Sequence, residues 1–299
     1  MSPSPPRTAL LVLLLLVFIA VVCKETTHAS ALNAATTMGV SPQKMERIQR
    51  YLEKINKPAV KSIKSPDGDI IDCVLMNKQL ALDHPLLKNH KIQVHFFFFL
   101  EKNLCLIAVY PEFYGDSTTR LFIYWTRDAY NTTGCYNLWC PGFVQTNNQV
   151  VLGGTIAPPL STYDAYQREI TLLVWKDAST GNWWLSYDNI DVGYWPAAIF
   201  TQLVSYATSV QWGGEIVNND VNGQHTTTQM GSGHFAEEGY QKASYFRNVE
   251  VVNSANGLYS PSISPSETNA NCYDIAISST TDWGTYFYYG GPGRNPKCP

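Results

Sequence analysis

From Thr119 to Asn253 the chain is a succession of short aromatic and β-branched runs, RLFIYWT, FVQTN, VVLGGTI, EITLLVWK, WWLSYD and YFRNVEVVN, separated by turn residues. Runs of that length and composition read as strands half-buried in antiparallel sheets. Asp177–Gly181 (DASTG) joins two of them as a hairpin. Only Pro196–Tyr206 (PAAIFTQLVSY) looks helical. Many short strands with few helices predict a mainly β chain, an antiparallel β-sandwich or a flattened barrel, with the sandwich preferred. Trp183, Trp184, Trp195 and Trp212 fall in apolar alternation, which points to core rather than to a carbohydrate-binding surface.

Several function classes drop out early. The sequence holds no fixed-period repeat, P-loop, dinucleotide fingerprint or G-x-S-x-G elbow, which removes most nucleotide-binding and serine-hydrolase readings. With 45% hydrophobic residues the 299-residue chain can bury a large core, and a net charge of −3 gives no bulk attraction to nucleic acid.

The N-terminus reads as a signal peptide over residues 1–23: Arg7 precedes an apolar run from Ala9 to Cys23, and a cut between Cys23 and Ala31 would export the chain. A signal anchor is the alternative reading, disfavoured because the run is shorter than the ~20 residues that comfortably span a bilayer; once the signal is cleaved, no membrane attachment is expected. Cysteine usage agrees with export. No C-x-x-C pair suggests zinc, and disulfides Cys135–Cys140 and Cys272–Cys298 are the expected pairings, although spacing does not fix connectivity; Cys73 and Cys105 are left without an assigned partner. Asn131-Thr132-Thr133 is an N-glycosylation sequon suited to a surface loop.

After the signal, Ser41 can cap a helix with Pro42 in its first turn and Met45, Ile48, Leu52 and Ile55 on one face, ending at Asn56-Lys57-Pro58. Its apolar face needs the main domain or a detachable pro-segment as partner. The turn-rich KSPDGD leads into a strand at Ile70–Met76. Residues 94–107, VHFFFFLEKNLCLI, form an atypical junction: a fully buried strand, or the most aggregation-prone window outside the signal.

Val210–Asn253 carries the candidate chemistry. Read as a strand, Val210–Val217 places Glu215 on a sheet face behind Gly213-Gly214, either as a general acid/base in a cleft or as a half-buried, hydrogen-bonded glutamate. His225, His234, Glu237 and Glu238 follow in a glycine-rich segment; their spacing matches no familiar metal-ligand set, so no metal or cofactor is expected, and His234, Glu237 and Glu238 read as cleft wall. Asp83-His84-Pro85 looks like a turn with a structural histidine.

LDHPLLKNH at 82–90, EFYGDSTTRLFIYWTRDAYNTTGCYNLWCPGFVQTNN at 112–148, GNWWL at 181–185, VGYWP at 192–196, VQWGGEIVN at 210–218, QMGSGHFAEEGYQKASYFRN at 229–248 and YFYYGGPGRNPKCP at 286–299 resemble the neprosin family of plant secreted proteins. The resemblance implies an activation-peptide region (24–92), the junction (93–107) and a catalytic domain (108–299). It further implies a glutamic endopeptidase that cleaves after proline, made as a zymogen held by its own pro-segment, without a metal, and secreted to the apoplast or cell wall. Its partners would be peptide or protein substrates. Two glutamates act across the cleft in that family, and the W-G-G-E glutamate falls on Glu215. Aligned on P-E-x-Y-G-D, the second falls on Leu104, and the strands before it are shortened. Glu101 and Glu112 are the acids nearby. The resemblance therefore implies an impaired or inactive peptidase, or a catalytically dead sandwich that binds peptides or extracellular ligands.

Overall fold

The computed structural model describes residues 21–26, 41–66, 68–93, 105–156, 158–220, 222–253 and 257–299. β1 (Val21–Thr26), β2 (Lys61–Lys64) and β3 (Ile70–Leu75) form an antiparallel sheet with β3 central, and α1 (Pro42–Ile55) lies between β1 and β2. α1 forms where its sequence favours it: Ser41 accepts a bond from the Lys44 N–H, and the Asn56 N–H closes the last turn on the Leu52 carbonyl at 2.8 Å. Met45, Ile48 and Leu52 are half-buried and Ile55 is buried, as the 3.6-residue period requires. Cys73 lies opposite Cys23 in the β1–β3 register and is disulfide-bonded, a pairing the sequence left unassigned. β1 straddles the expected end of the signal peptide, so a cut after Cys23 would remove the half of the strand that faces Cys73–Leu75.

β4 (Cys105–Ala108), β5 (Arg120–Trp125) and β6 (Cys135–Tyr136) form a second sheet, with α2 (Pro111–Tyr114) between β4 and β5. Residues 94–104 of the atypical junction lie outside the described residues. A third sheet has the order β7-β10-β9-β8, from β7 (Val144–Gln145), β8 (Leu172–Lys176), β9 (Trp183–Tyr187) and β10 (Ile190–Trp195). Gly193 lets β7 close on β10, since a Cβ there would lie 2.2 Å from the Val144 carbonyl oxygen. β11 (Ser244–Phe246) pairs with β15 (Gly284–Gly290), which pairs with β14 (Asp274–Thr280); β12 (Val251–Val252) and β13 (Leu258–Tyr259) make a two-stranded ribbon.

The chain is mainly β, all its described strand pairs are antiparallel, and the third sheet is covered on both faces. Trp183, Leu185, Val174 and Val192 point into one core with Leu121 and Ile123 of β5, whereas Trp184, Trp175, Tyr194 and Val144 point to the other side. Period-2 alternation sorts the tryptophans between two layers. The second layer is completed by the N-terminal region: Ala81 and Ile92 pack there, and Leu87, 1% exposed, enters the first core.

Polar contacts fix the same segment. The buried Gln79 donates to the Gln145 carbonyl (3.2 Å) and accepts the Gln145 N–H (2.8 Å) on strand β7. The Tyr194 hydroxyl contacts His90 Nε2 at 2.6 Å and accepts the Gln93 N–H at 3.0 Å, while Gln93 accepts from Asn182 Nδ2 at 2.7 Å. Arg120, 2% exposed, binds Asp69 of the β2–β3 turn through both amino groups (2.9 and 3.1 Å), Asp116 at 2.6 Å and the Gly153 carbonyl at 2.9 Å.

Three expected elements differ. Residues 210–217 form no strand: Gly214 serves close packing against Met230 and Tyr289, and the segment joins none of the described sheets. Pro196–Tyr206 is helical only as a single 3-10 turn, Ala197–Ile199, because Ile199 and Phe200 enter the core and Thr201 then bonds the Arg127 carbonyl. VVLGGTI is a turn at Gly153-Gly154 whose amide and carbonyl bond Leu121 of β5, with one isolated bridge at Thr155.

Two outcomes follow for stability. Gln79→Leu strands the Gln145 N–H and carbonyl and should lower stability by about 1–3 kcal/mol in urea titration. Burial holds the His90 imidazole below its ordinary value, as burial and Arg127 do for His84. A depressed histidine stabilises above the unfolded pKa of 6.5 and loses that contribution as pH falls. Asp116, held down to about 2 chiefly by Arg120, contributes above 3.8 and is lost toward about 2. Stability should therefore fall in two stages on acidification; His90→Gln should flatten the first and Asp116→Asn the second, read as denaturation midpoint against pH.

Candidate active site

Glu215 is exposed in the unpaired loop 210–218, held from below by its neighbours. A Cβ on Gly214 would lie 2.5 Å from Met230 Cγ and 2.8 Å from the Tyr289 ring, so the loop rests directly on those side chains. Ile216 packs with Met230 against the Cys272–Cys298 disulfide, and Met230 is itself bridged to Gly291 after β15. Tyr289 is buried enough that its phenol is pushed up to about 12. The loop is thus seated on the β11–β15–β14 sheet.

An aromatic row runs along the β4–β5–β6 sheet, and two of its members, Tyr130 and Tyr136, feel the Glu215 charge. Tyr110, Phe113, Tyr136, Tyr124 and Tyr130 follow one another at ring-centroid spacings of 5.6, 5.1, 4.5 and 5.9 Å. The Tyr130 and Tyr136 phenols are raised by burial first, then by neighbouring tyrosines and by the Glu215 charge, which places the carboxylate within electrostatic reach of both. Tyr136 is fixed by the Cys135–Cys140 disulfide, and the buried Asn137 holds that loop, accepting from the Ile123 N–H (3.0 Å) and donating to the Tyr114 hydroxyl (2.9 Å). The pro-segment reaches the end of the row: Tyr51 of α1 donates to the Trp139 carbonyl at 3.3 Å, and Trp139 stands 5.4 Å from the Phe113 ring. An exposed carboxylate near these rings can exchange a proton with a group bound over them.

Leu104 and Glu101 lie outside the described residues; the first described position after them is Cys105, opposite Ile123. Glu112 is exposed on α2. His234, Glu237 and Glu238 belong to a different arrangement. Glu238 accepts from His234 Nδ1 (2.8 Å) and from the Tyr163 hydroxyl (3.0 Å), and the Tyr163 and His234 rings stand 4.3 Å apart. Burial raises the Glu238 carboxyl, but these two bonds outweigh it and lower it. The 3-10 turn Ala236–Glu238 is tied to β14 by the Ala236 N–H bonding Asp274 at 2.7 Å, and Glu237 is exposed on it. This group clamps the 161–169 loop, and no described hydrogen bond joins it to Glu215.

His225 lies within 4.8 Å of both Cys272 and Cys298 sulfurs, a spacing that would suit a metal. Those sulfurs are bonded to each other, so neither is a thiolate ligand. His225 Nδ1 contacts the Thr226 carbonyl at 3.0 Å. The sequon residue Asn131 is exposed, and its partner hydroxyl, Thr133, donates to Asp128 at 2.6 Å. The row of rings near Glu215 escaped the sequence reading; its signal was the recurrence of Tyr and Phe in PEFY, LFIYW, DAYN and CYN, which only β5–β6 pairing brings onto one surface.

Fold and site together define a β-sandwich protein that carries its own pro-segment packed into the domain. The sequence model of the neprosin family matches residues 105–292 and that of the neprosin activation peptide residues 62–128, with 105–128, from β4 through β5, common to both. The chain belongs to the neprosin family, as a peptidase-like protein in which an activation peptide precedes the catalytic domain.

Gly214→Ala forces its methyl against Met230 and the Tyr289 ring and should cost about 1–3 kcal/mol of stability in urea unfolding. Gly213→Ala meets nothing within 4 Å, so any loss there in the same assay comes from its backbone, held at φ 158°, and not from packing.

Proposed function

We propose that the chain is a secreted zymogen of a glutamic-type endopeptidase acting on proline-containing peptides, with Glu215 as its catalytic carboxylate. The observation that carries this reading is the position of Glu215, exposed on a loop packed down through Gly214 and within electrostatic reach of Tyr130 and Tyr136, two members of a row of aromatic rings that a substrate's apolar side chains would cover. In a two-carboxylate mechanism one group activates water as general base and the other, protonated, assists the carbonyl or leaving amine, which favours acid conditions. Leu104 stands where the resemblance puts the second glutamate. Loss of one general acid or base lowers rate by roughly 10²–10⁴, so turnover is strongly reduced. The signal-like N-terminus, the disulfides and the Asn131 sequon support export to the apoplast or cell wall, with a glycan at Asn131. The boundaries that go with this reading are a signal over 1–23, an activation-peptide region over 24–92, a junction over 93–107 and a catalytic domain over 108–299.

Leu104 also favours a second reading, a catalytically dead sandwich that keeps the peptide-binding surface. Cleavage of proline-containing peptides at acid and neutral pH separates the two. The natural chain should cleave slowly at best, and Glu215→Gln should abolish what cleavage it has, because the amide keeps the shape but exchanges no proton. Leu104→Glu alone should add little; replacing His95–Tyr110 with the longer segment of an active relative should add much more, since a carboxylate acts only when held within reach of the same water as Glu215. Cleavage that survives Glu215→Gln contradicts the assignment, and peptide binding without cleavage supports the second reading.

A further inference from the structure

Between β13 and β14 the chain runs through SPSISPSETNA, residues 260–270, a stretch that neither the sheets nor the candidate site uses. Apart from half-buried Pro261 and Ile263 it is exposed throughout. Residues 260–268 make no hydrogen bond, backbone or side chain, to any described residue. The ties stop on either side of them: Leu258 and Tyr259 pair in β13, and the Asn269 carbonyl accepts the Cys272 and Tyr273 N–H groups, both at 3.0 Å.

A cleft that cuts peptides takes its substrate as an extended chain, gripped by backbone N–H and C=O groups, so a folded protein is cut where those groups are free and the chain lies open. Ser264 precedes a proline, which holds it extended, and Pro265 and Ser266 are both exposed with unbonded chain on either side. Prolines elsewhere are tied more closely. The Val60 N–H bonds the Cys73 carbonyl at 2.8 Å two residues after exposed Pro58. Exposed Pro159 lies between the Ile156 N–H on Thr119 (2.9 Å) and the Thr162 N–H on Tyr166 (2.8 Å). Pro85 and Pro111 open helical turns.

We propose that the Pro265–Ser266 bond is a processing site for a proline-specific endopeptidase of this chain's own class, and that its cleavage gives a two-chain form of the protein; the choice of enzyme rests on the proline specificity proposed above. Water adds across the peptide bond, leaving a carboxylate on Pro265 and an amino group on Ser266. Cys135 and Cys140 precede the cut and Cys272 and Cys298 follow it, so neither of these disulfides spans it. The piece 266–299 is held instead by β15 pairing with β11, by the Ala236 N–H on Asp274 (2.7 Å) and by the Arg294 N–H on the Thr226 carbonyl (2.8 Å). It carries Tyr289, on which the Gly214 loop rests, so the cut puts Glu215 and part of its seat on separate chains.

The test is incubation of the full-length protein in acid, alone and with a trace of an active neprosin relative that cuts the free 260–270 peptide, read by N-terminal sequencing and intact mass. With the relative, the first new N-terminus within 105–299 should be Ser266, and Pro265→Ala should slow that cut by about tenfold or more with an unchanged melting curve. The nicked protein should run as one species in native size-exclusion chromatography and as two pieces in a denaturing gel without reductant. A first cut elsewhere in 105–299, no cut there at all, a cut that survives Pro265→Ala, or pieces that separate under native conditions overturns the proposal. The protein incubated alone tests the activity separately: a cut at Pro265 that Glu215→Gln abolishes supports both readings, whereas a cut made only by the added relative keeps the site and counts against Glu215 as a working catalyst.

Discussion

One buried guanidinium joins the two parts of this molecule. Arg120 begins β5, yet its partners come from three places: Asp69 in the turn of the N-terminal sheet, Asp116 ahead of β5, and the Gly153 carbonyl in the turn that bonds Leu121. Taking a cation out of water is costly unless each donor is met, and removing one partner of such a group typically costs about 3–5 kcal/mol. The arrangement therefore holds register as much as it adds stability. It sets the β2–β3 turn against the start of β5, and β5 in turn carries Tyr124 and pairs with β6, which carries Tyr136.

The same coupling explains why the N-terminal region is no loose appendage. The β7–β10–β9–β8 sheet alternates tryptophans between its faces, so both need cover. Leu121 and Ile123 of β5, with Leu152, Ile199 and Phe200, cover one of them. Ala81 and Ile92 help cover the other, while His90 and Gln93 meet Tyr194 and Asn182. A pro-segment that completes a core is retained by the hydrophobic effect as well as by its polar contacts.

Much of this was legible in the sequence. WWLSYD alternates and is a strand; DASTG is its hairpin turn; the Ser41 cap and the Met45, Ile48, Leu52, Ile55 face specify α1. These are local patterns with local causes. VQWGGEIVN alternates equally well and is not a strand, because Gly214 answers to Met230 and Tyr289, which are distant in sequence. PAAIFTQLVSY carries helix-forming residues but is pulled straight where Ile199 and Phe200 find the core. Glu215 was visible by its motif; the tyrosines near it were visible only as composition, since no single run reveals which strands will lie side by side. His234, Glu237 and Glu238 sit close together in sequence and read as cleft wall, whereas Tyr163 gathers His234 and Glu238 into a loop clamp.

Gln79 reaches the backbone of β7 with its side-chain amide, offering the oxygen and nitrogen that a neighbouring strand's peptide group would offer. The outermost strand of the sheet thus meets a single side chain at that position instead of another ladder. A maturation cut that let this segment drift away would leave Gln145 with an amide and a carbonyl unanswered, the kind of bare edge at which extended chains add and aggregates begin. The segment therefore acts as a cap on that edge, and if it left, the Gln145 amide and carbonyl would pass to water or to the backbone of another extended chain.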